Sequence, residues 1–465
     1  MHHCSECKKL GAGSRRQEAS SRPHVVNMQY EIVFLLLMCY LLPATCYLFP
    51  TASIAQEQPT RLVHADSLHG YNLNGDSYRD LVGHVVMQRG GTTLNCDRAV
   101  QNTTQDIVDL YGNVRVEDDT LTLRTKQARY FGKTNIVSSD SGVYLNDRRR
   151  TLTADRGTYN TDTKVAQFFG HVFVRDSVSQ LTSEQLIYYR NEEKSIADTN
   201  VRIKSLENNV TVDGFHFEDY NKKNYSFMTV EPLLTQIDTS SDGKIDTLMI
   251  TSQIMEAYRD SARTPSANER FIARDSVQVI RGSLSAHCGY GIYFSKDSMV
   301  VLEKHPIVWY EDNQLTGDSI TVYIRDKKID RVDVNGDAFA VSKSDSTFTD
   351  RYNQLKGKKL TMYLKDRKAD RIIVENNATS LYYLYDKNKP NGVNRVSGDR
   401  VVMYFKDGKI ERIAVISGVE GNYYPEKLVR NKVDSYNLLG FVYYKNRPDE
   451  TKFPKEWTGE PQKDK

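Results

Sequence analysis

Cysteine, proline and long apolar runs are scarce in this sequence of 465 residues, and each scarcity excludes a class of protein. Four of the six cysteines lie before residue 47, and the remaining Cys96 and Cys288 do not make a disulfide scaffold. No proline occurs between Pro59 and Pro232, which favours long strands because proline cannot donate to a β-ladder. The apolar run at 32–42 is too short for a bilayer-spanning helix, which needs about 20 residues.

An excess of charge of either sign is also absent. The 63 lysines and arginines face 60 aspartates and glutamates, which gives a formal net charge of +3. A nucleic-acid-binding protein would need a basic excess or a basic stripe, so we expect no nucleic-acid partner. The hydrophobic fraction of 39% and the 27 glycines exclude disorder of the whole chain.

The amino-terminal end of the chain has the pattern of a leader. The apolar run at 32–42 has the length of a signal-peptide core, and Ser53-Ile54-Ala55 offers a cleavage site of small residues. We therefore predict a leader at 1–55 that contains a signal peptide at 28–55, with Met28 as a plausible start. The alternative is an uncleaved signal anchor. Either one predicts export of the rest of the chain, and the expected location is the periplasm.

An internal repeat organises the chain after the leader. One column of the repeat consists of Val85, Val114, Val143, Val172 and Val201, with a constant spacing of 29 residues. A second column consists of Leu94, Leu123, Leu152 and Leu181 and ends in Val210. Two residues after the valines stand Met87, Val116, Leu145, Val174 and Ile203, so the period inside each unit is two and predicts a half-buried strand. A single unit cannot bury its apolar face, and stacked units would share a continuous apolar interior.

The spacing of the repeat divides the chain into segments. After residue 217 the exact period lapses, and the spacing of the later, looser units lengthens to about 31 and then to about 41 positions. For the residues between the two sets, a continued β array competes with an amphipathic helix over 248–258. The predicted segments are the leader (1–55), a β-repeat segment with the exact period (60–217), an irregular continuation or linker (218–270), a second β-repeat segment with longer loops (271–425) and a polar C-terminal tail (426–465).

The residues suited to catalysis or metal binding do not form a constellation. The column Asp97, Asp155, Glu184 and Asp213 is interrupted by Lys126, and we expect these carboxylates to hydrogen-bond at a bend or a solvated edge. His84 and His171 stand at the repeat position of Asn113, which predicts a turn or surface role. No Walker loop, dinucleotide-binding glycine pattern or Gly-x-Ser-x-Gly is present. We therefore predict no enzyme, no metal site and no cofactor.

The unit resembles the repeat of the OstA-like family. Gly112-Asn113-Val114-Arg115-Val116, followed by Leu123, matches the family pattern of Gly-Asn-Val-x-Val, a turn and a leucine. Leu152-Thr153-Ala154-Asp155 with Tyr159, and Gly170-His171-Val172-Phe173-Val174, match it as well. The resemblance covers about residues 60–425 and implies an all-β fold, a repeat-built, twisted, V-shaped antiparallel β-jellyroll that is solenoid-like.

The resemblance also implies a function, the binding of lipopolysaccharide acyl chains in the interior of the jellyroll. The implied partners are lipopolysaccharide and other lipopolysaccharide-transport proteins of the inner and outer membranes, reached through edge strands, with head-to-tail self-association as a further possibility. A β-solenoid scaffold or surface adhesin with a dry core is the alternative. The candidate residues of the lipid groove are Val85, Met87, Leu94, Val114, Val116, Leu123, Val143, Leu145, Leu152, Val172, Val174, Leu181, Val201 and Ile203.

Overall fold

Antiparallel β-structure makes up most of the residues that the computed structural model describes. The structure describes residues 60–449, except for gaps at 240–242, 244, 260–268, 327, 346–347, 366–367, 388 and 407–408, and also residues 451 and 453. The predicted leader (1–55) lies outside the described residues. The prediction of an all-β antiparallel fold is confirmed.

The strands of the described residues form a single hydrogen-bonded sheet. They are β1 (Arg61–His64), β2 (Ser67–Leu73), β3 (Asp76–Arg89), β4 (Thr92–Asn102), β5 (Ile107–Asp118), β6 (Leu121–Phe131), β7 (Ile136–Ser139), β8 (Val143–Asn146), β9 (Thr151–Ala154), β10 (Arg156–Asn160), β11 (Val165–Arg175), β12 (Ser179–Tyr189), β13 (Lys194–Ser205), β14 (Val210–Tyr220), β15 (Tyr225–Thr229), β16 (Leu233–Thr239), β17 (Ile245–Thr251), β18 (Ile254–Tyr258), β19 (Arg270–Arg281), β20 (Leu284–Phe294), β21 (Met299–Glu303), β22 (Ile307–Tyr310), β23 (Asn313–Thr316), β24 (Ser319–Arg325), β25 (Lys328–Lys343), β26 (Tyr352–Lys365), β27 (Lys368–Asp386), β28 (Lys389–Lys406), β29 (Lys409–Ile416) and β30 (Glu420–Pro425).

Helical structure is limited to short turns in the described residues. A 3₁₀ turn covers Asn221–Lys223, and two single-turn helices follow the last strand, α1 (Glu426–Val429) and α2 (Val433–Tyr436). None of these described helices has the length and the apolar character that crossing a bilayer requires.

Corners interrupt the strands at regular intervals. The pairing of β3 with β4 skips Gly83 and His84, whose φ angles are +80° and +46°. The same left-handed pair recurs at Gly112–Asn113 and at Gly170–His171, one and three repeat lengths after the first. Left-handed backbone is costly for most side chains but accessible to glycine and tolerated by asparagine and histidine. The glycines of the repeat therefore stand where the strand must bend.

The corners divide the sheet into two walls. Wall A contains the strand parts on the 76–82 side of the corners, and wall B contains those on the 85–89 side. Leu81 of wall A and Met87 of wall B belong to the same buried core, with 1% of each residue exposed. The sheet therefore folds over at the corners and encloses an apolar interior between its walls.

The β array continues through the segment predicted to be a linker or an irregular continuation. Strands β15 to β18 occupy its described residues, and β15 and β16 both pair with β14. Strand β19 then pairs with both β17 and β18. The competing helix over 248–258 does not form, because these residues are divided between β17 and β18.

The second β-repeat segment differs from its prediction in one respect. The prediction assigns its longer spacing to longer loops, but β25, β27 and β28 are themselves 16, 19 and 18 residues long. The added residues extend wall B, where β27 and β28 stay paired as far as Asp386 and Lys389. The longer unit is therefore a longer strand, which offers more ladder hydrogen bonds than a loop of the same length.

The described part of the predicted polar C-terminal tail is packed against the sheet. Its described residues from 426 to 453, here called the C-terminal strap, pack against the outer face of wall B. Val429, Val433 and Leu438 of the strap form a buried cluster with outward side chains of wall B, among them Val341. Phe453 closes a second cluster with Leu233, Met249 and Ile280. The polar composition of the tail concealed a few apolar residues that are spaced to cover an apolar stripe.

Candidate functional site: the apolar interior

The predicted groove residues lie in adjacent rows on the inner face of wall B. One row follows the strand pairings Met87–Leu94, Leu94–Val116, Val116–Leu123, Leu123–Leu145, Leu145–Leu152, Leu152–Val174, Val174–Leu181 and Leu181–Ile203. The neighbouring row contains Val85, Val114, Val143, Val172 and Val201, next to the corners. The structure thus brings all fourteen residues to one face of one wall. Whether they bind lipid stays a prediction.

Burial of these residues changes along the array. Eleven of the fourteen are at most 4% exposed, whereas Val174, Leu181 and Ile203 are only partly buried. The row continues beyond them through Val212, Leu234 and Ile250, of which Leu234 is 8% exposed and the other two are partly buried. This row of wall B is therefore tightly packed near the amino-terminal edge and more exposed from Val174 onwards, while Val172 and Val201 beside the corners stay buried.

Wall A supplies the other half of the interior, which the predicted groove residues do not include. Leu81, Leu110 and Phe168 project from wall A into the same core and are at most 1% exposed. They are separated by one and two repeat lengths, so the same 29-residue period that identified the wall B residues also applies to them. The column is harder to recognise because Ser139 and Ala197 occupy its other positions.

A second core lies inside the later strands. Val334, Leu360 and Val374 of wall A are fully buried there and follow one another across paired strands. On wall B, Val308 and Leu315 pack against this core but are only partly buried. The interior therefore stays apolar beyond the exact repeats.

Two carboxylates of the predicted column, Asp97 and Asp155, hydrogen-bond at corners, whereas Asp213 is 1% exposed and is paired with Arg202. Asn113 donates a hydrogen bond to Oδ2 of Asp97 at 2.9 Å, and Nδ1 of His171 lies 2.8 Å from Oδ2 of Asp155. His84 makes the equivalent contact with an aspartate of the loop before β2, at 2.9 Å. The hydrogen bond to Asp155, together with the attraction of its charge, raises the pKa of His171. These side chains hold the strands at the bend.

The two later cysteines lie beside corners, where Cys96 pairs with Val85 and Cys288 pairs with Val277. Both thiols are free and buried, and the residues are 5% and 1% exposed at Cys96 and Cys288 respectively. The Cys96 thiol donates to the backbone oxygen of Arg98 at 3.2 Å, as Ser183 does to Gln185 at 2.9 Å. Burial raises the pKa of each thiol to about 11. A buried thiol with a raised pKa is a poor nucleophile and a poor metal ligand.

Polar groups of the second segment stay on the outer face of wall A. The guanidinium carbon of Arg331 lies 3.9 Å from the ring centroid of Tyr323, that of Arg371 lies 4.6 Å from Tyr363, and that of Arg412 lies 4.3 Å from Tyr404. These residues alternate on neighbouring strands, from β24 to β29. Each stacked pair contributes about 0.5–1 kcal/mol at an exposed site, which keeps cations outside the apolar interior.

Metal ligands do not cluster in the described part of the chain, where no group of three His, Cys, Asp or Glu side chains is suited to hold an ion.

Comparisons with known proteins add to this geometry. The sequence model of a family described as OstA-like protein matches residues 57–213. A search among curated proteins gives no significant match. Among solved structures, the chain is similar to LptH of Pseudomonas aeruginosa, which is described as the LptA homologous periplasmic component of the conserved lipopolysaccharide transport device. That match has 13% sequence identity and a TM-score of 0.24, and covers 30% of this chain and 95% of LptH.

The family match coincides with the strands that carry the exact repeat. It begins shortly before β1 and ends in β14, and so contains all fourteen predicted groove residues. Residues 57–213 thus match the OstA-like family, in agreement with the resemblance of the exact repeats, and the resemblance expected for the rest of 60–425 stays a prediction.

Proposed function

We propose that this protein is a lipopolysaccharide-binding transport component of the cell envelope, a passive β-groove conduit for acyl chains towards the outer membrane. The observation that carries the proposal is the apolar interior of walls A and B, in a chain whose residues 57–213 match the OstA-like family. An acyl chain that enters such an interior removes its methylene groups from water, which contributes about 0.8 kcal/mol for each. The sequence carries no nucleotide-binding motif, so the proposed conduit has no energy source of its own.

Access for the acyl chains is proposed along the later part of the array. Val174 and Ile203 on wall B, and Val308 further along, are only partly buried, so a lipid could replace the water at these side chains. At Val85 and Val114 the interior is already filled by protein, since each is 1% exposed. A lipid there would have to separate the walls, which costs the packing contacts that it displaces.

The proposed partners dock at the two ends of the sheet. In the described residues β2 pairs only with β3, and β30 pairs only with β28, so each presents one unpaired edge. Unpaired edges accept a further strand, which supports docking to other lipopolysaccharide-transport proteins or to a second copy of this chain. The proposed location is the periplasm, which depends on the predicted signal peptide.

Site-specific photocrosslinking tests the proposal. We would place a photoreactive amino acid at Ile203 or Val308, on the inner face of wall B, and expose the purified chain to lipopolysaccharide. The matched control is Thr182, which neighbours the same ladder but is exposed on the outer face. We expect crosslinks at the two inner positions and none at Thr182. Crosslinking at Thr182 as strong as at Ile203 would contradict the proposal.

The scaffold or adhesin alternative has an observation in its favour, the dry packing of the interior at its amino-terminal end. It predicts that lipopolysaccharide crosslinks to none of these positions. Depletion of the protein in its own cells separates the two functions further. Transport predicts accumulation of lipopolysaccharide in the inner membrane, and a scaffold predicts an unchanged distribution.

A further inference from the structure

The bend between β7 and β8 departs from the pairing of side chains that its neighbours share. At the preceding corner, Asp97 accepts a hydrogen bond from Asn113. One repeat length onwards, the position of the acid is Lys126 and the position of its partner is Gly142. The charge of this corner is thus reversed, and the side chain that would have filled it is missing.

A concavity of about 730 Å³ lies at this corner. Its polar lining includes Arg115, Arg124, Lys126, Ser141, Tyr144 and Thr153. It opens on the outer face of wall B, because Val114 and Val116, which flank Arg115 in β5, point into the core. A methyl group added at Gly142 would meet no atom within 4 Å, so the space above this glycine is open.

Two of the three basic side chains that line the concavity are not paired with a carboxylate among the described residues. Arg115 is paired with Glu117. Arg124 and Lys126 are exposed and have no carboxylate partner among the described residues. The aspartates of the two neighbouring corners already accept hydrogen bonds from Asn113 and His171. Two cations therefore face a concave, solvent-filled space.

We propose that this corner binds a phosphate monoester. Such a group carries a charge of about −1.5 to −2 at neutral pH, which matches two uncompensated cations. A guanidinium can hold two phosphate oxygens at once, and an ammonium supplies a compact charge beside it. The Arg124 guanidinium and the Lys126 ammonium take these roles, and the Thr153 hydroxyl is a further donor. The site lies outside the apolar interior and does not rest on the proposed lipid transport.

Calorimetric titration of the whole chain with inorganic phosphate tests the site. The decisive variant is Lys126→Asp with Gly142→Asn, which places at this corner the acid and the amide of the preceding corner. Lys133→Asp is the control, since it makes the same change of charge at an exposed turn lysine. Arg124→Gln is a second variant that leaves the bend itself untouched. We expect at least about tenfold weaker binding for the double variant and for Arg124→Gln, and a change of less than about twofold for Lys133→Asp.

A second arm identifies the source of the phosphate monoester. Flotation with phosphatidylcholine vesicles, with and without phosphatidic acid, presents the group on a membrane. Binding that requires phosphatidic acid and is lost in the double variant supports the site with a lipid headgroup as its ligand, even if free phosphate binds weakly. Binding of free phosphate alone, lost in the same variant, supports it with a soluble ligand. The proposal is overturned if neither probe binds, or if the double variant and Lys133→Asp bind equally.

Discussion

Gln314 Oε1 accepts a hydrogen bond from the backbone N–H of Tyr444 at 2.8 Å, across 130 residues of chain. The same side chain donates to the backbone oxygen of Val442 at 2.8 Å, so its amide completes a short ladder with the C-terminal strap. Gln354 repeats the arrangement on a neighbouring ladder, accepting from Leu438 at 2.8 Å. Both glutamines are 1% exposed, and buried amides of this kind are expensive to leave unpaired. The strap is therefore an integral layer over wall B.

Removal of the strap should expose the apolar stripe beneath it. Trp309 lies in this stripe, is 3% exposed and donates to the backbone oxygen of Tyr444 at 3.1 Å. In a chain ending at Pro425, Trp309 is the only remaining tryptophan, because Trp457 is removed with the strap. We expect a red shift of its fluorescence and new binding of a hydrophobic dye. The control is the full chain with Trp457→Phe, and an unshifted emission in the truncated chain would contradict the assignment.

Cys96 should resist alkylation in the native chain. Its thiol pKa of about 11 lies two units above the reference value of 9.0, so at pH 8 its thiolate is about 100-fold scarcer than that of a free thiol. The rate should rise with pH and should jump on unfolding in urea. Mass spectrometry of the labelled peptides separates Cys96 from Cys288 and from the cysteines of the leader. Rapid labelling of Cys96 in the folded chain at pH 8 would show that the thiol is not buried.

Two glycine corners should respond differently to the same substitution. Both Gly112 and Gly142 have left-handed backbone, with φ of +69° and +77°, so alanine costs about 1–2 kcal/mol at either position. At Gly112 the added methyl would also overlap the carboxylate of Asp97, whereas at Gly142 it meets no atom within 4 Å. We expect Gly112→Ala to lower the local unfolding free energy by about 1–3 kcal/mol more than Gly142→Ala. Hydrogen exchange of β5 and of β8 measures each effect, and equal losses would contradict the corner geometry.

Protonation of His171 should favour the folded state. Its pKa is raised in the folded chain by the hydrogen bond and the charge of Asp155, while the unfolded value is about 6.5. The stabilisation is therefore fully present below about pH 6.5 and is lost as the pH rises through the higher, folded pKa. An NMR titration of the imidazole should show the raised value, and Asp155→Asn should lower it. Asp109→Asn removes a carboxylate that is paired with Arg129 instead and should leave the His171 titration unchanged.

The repeat in the sequence predicted the inner face of wall B residue by residue. Val116 and Leu123 face each other across β5 and β6, as their columns require. A single-residue slip would turn every inward side chain outwards, so a repeat spacing that is never broken is strong evidence for register. The inner face of wall A was harder to recognise in the sequence, because small residues such as Ala128 and Ser139 occupy several of its inward positions.

The cover over wall B could not be predicted from local patterns. Along one outward row of this wall the residues are polar at Thr211 and Thr235 and become apolar at Met249 and Ile280. Whether the outward residues of a strand are polar or apolar, its inward residues still recur with period two, so the sequence pattern predicts a strand in both cases. The pattern does not show which residue covers the stripe, since Phe453 belongs to the strap and follows the last described strand in the sequence.

Within the exact repeats the sequence by itself determined the strands, their register and the positions of the bends, because each depends on residue types at fixed short spacings. Only the tertiary structure decided which apolar columns are packed dry, which are partly open, and that the tail forms a third layer. These properties depend on contacts between residues that are distant in the chain. The burial of these apolar residues depends on how the two walls and the strap pack against one another, and a short repeat in the sequence does not specify that packing.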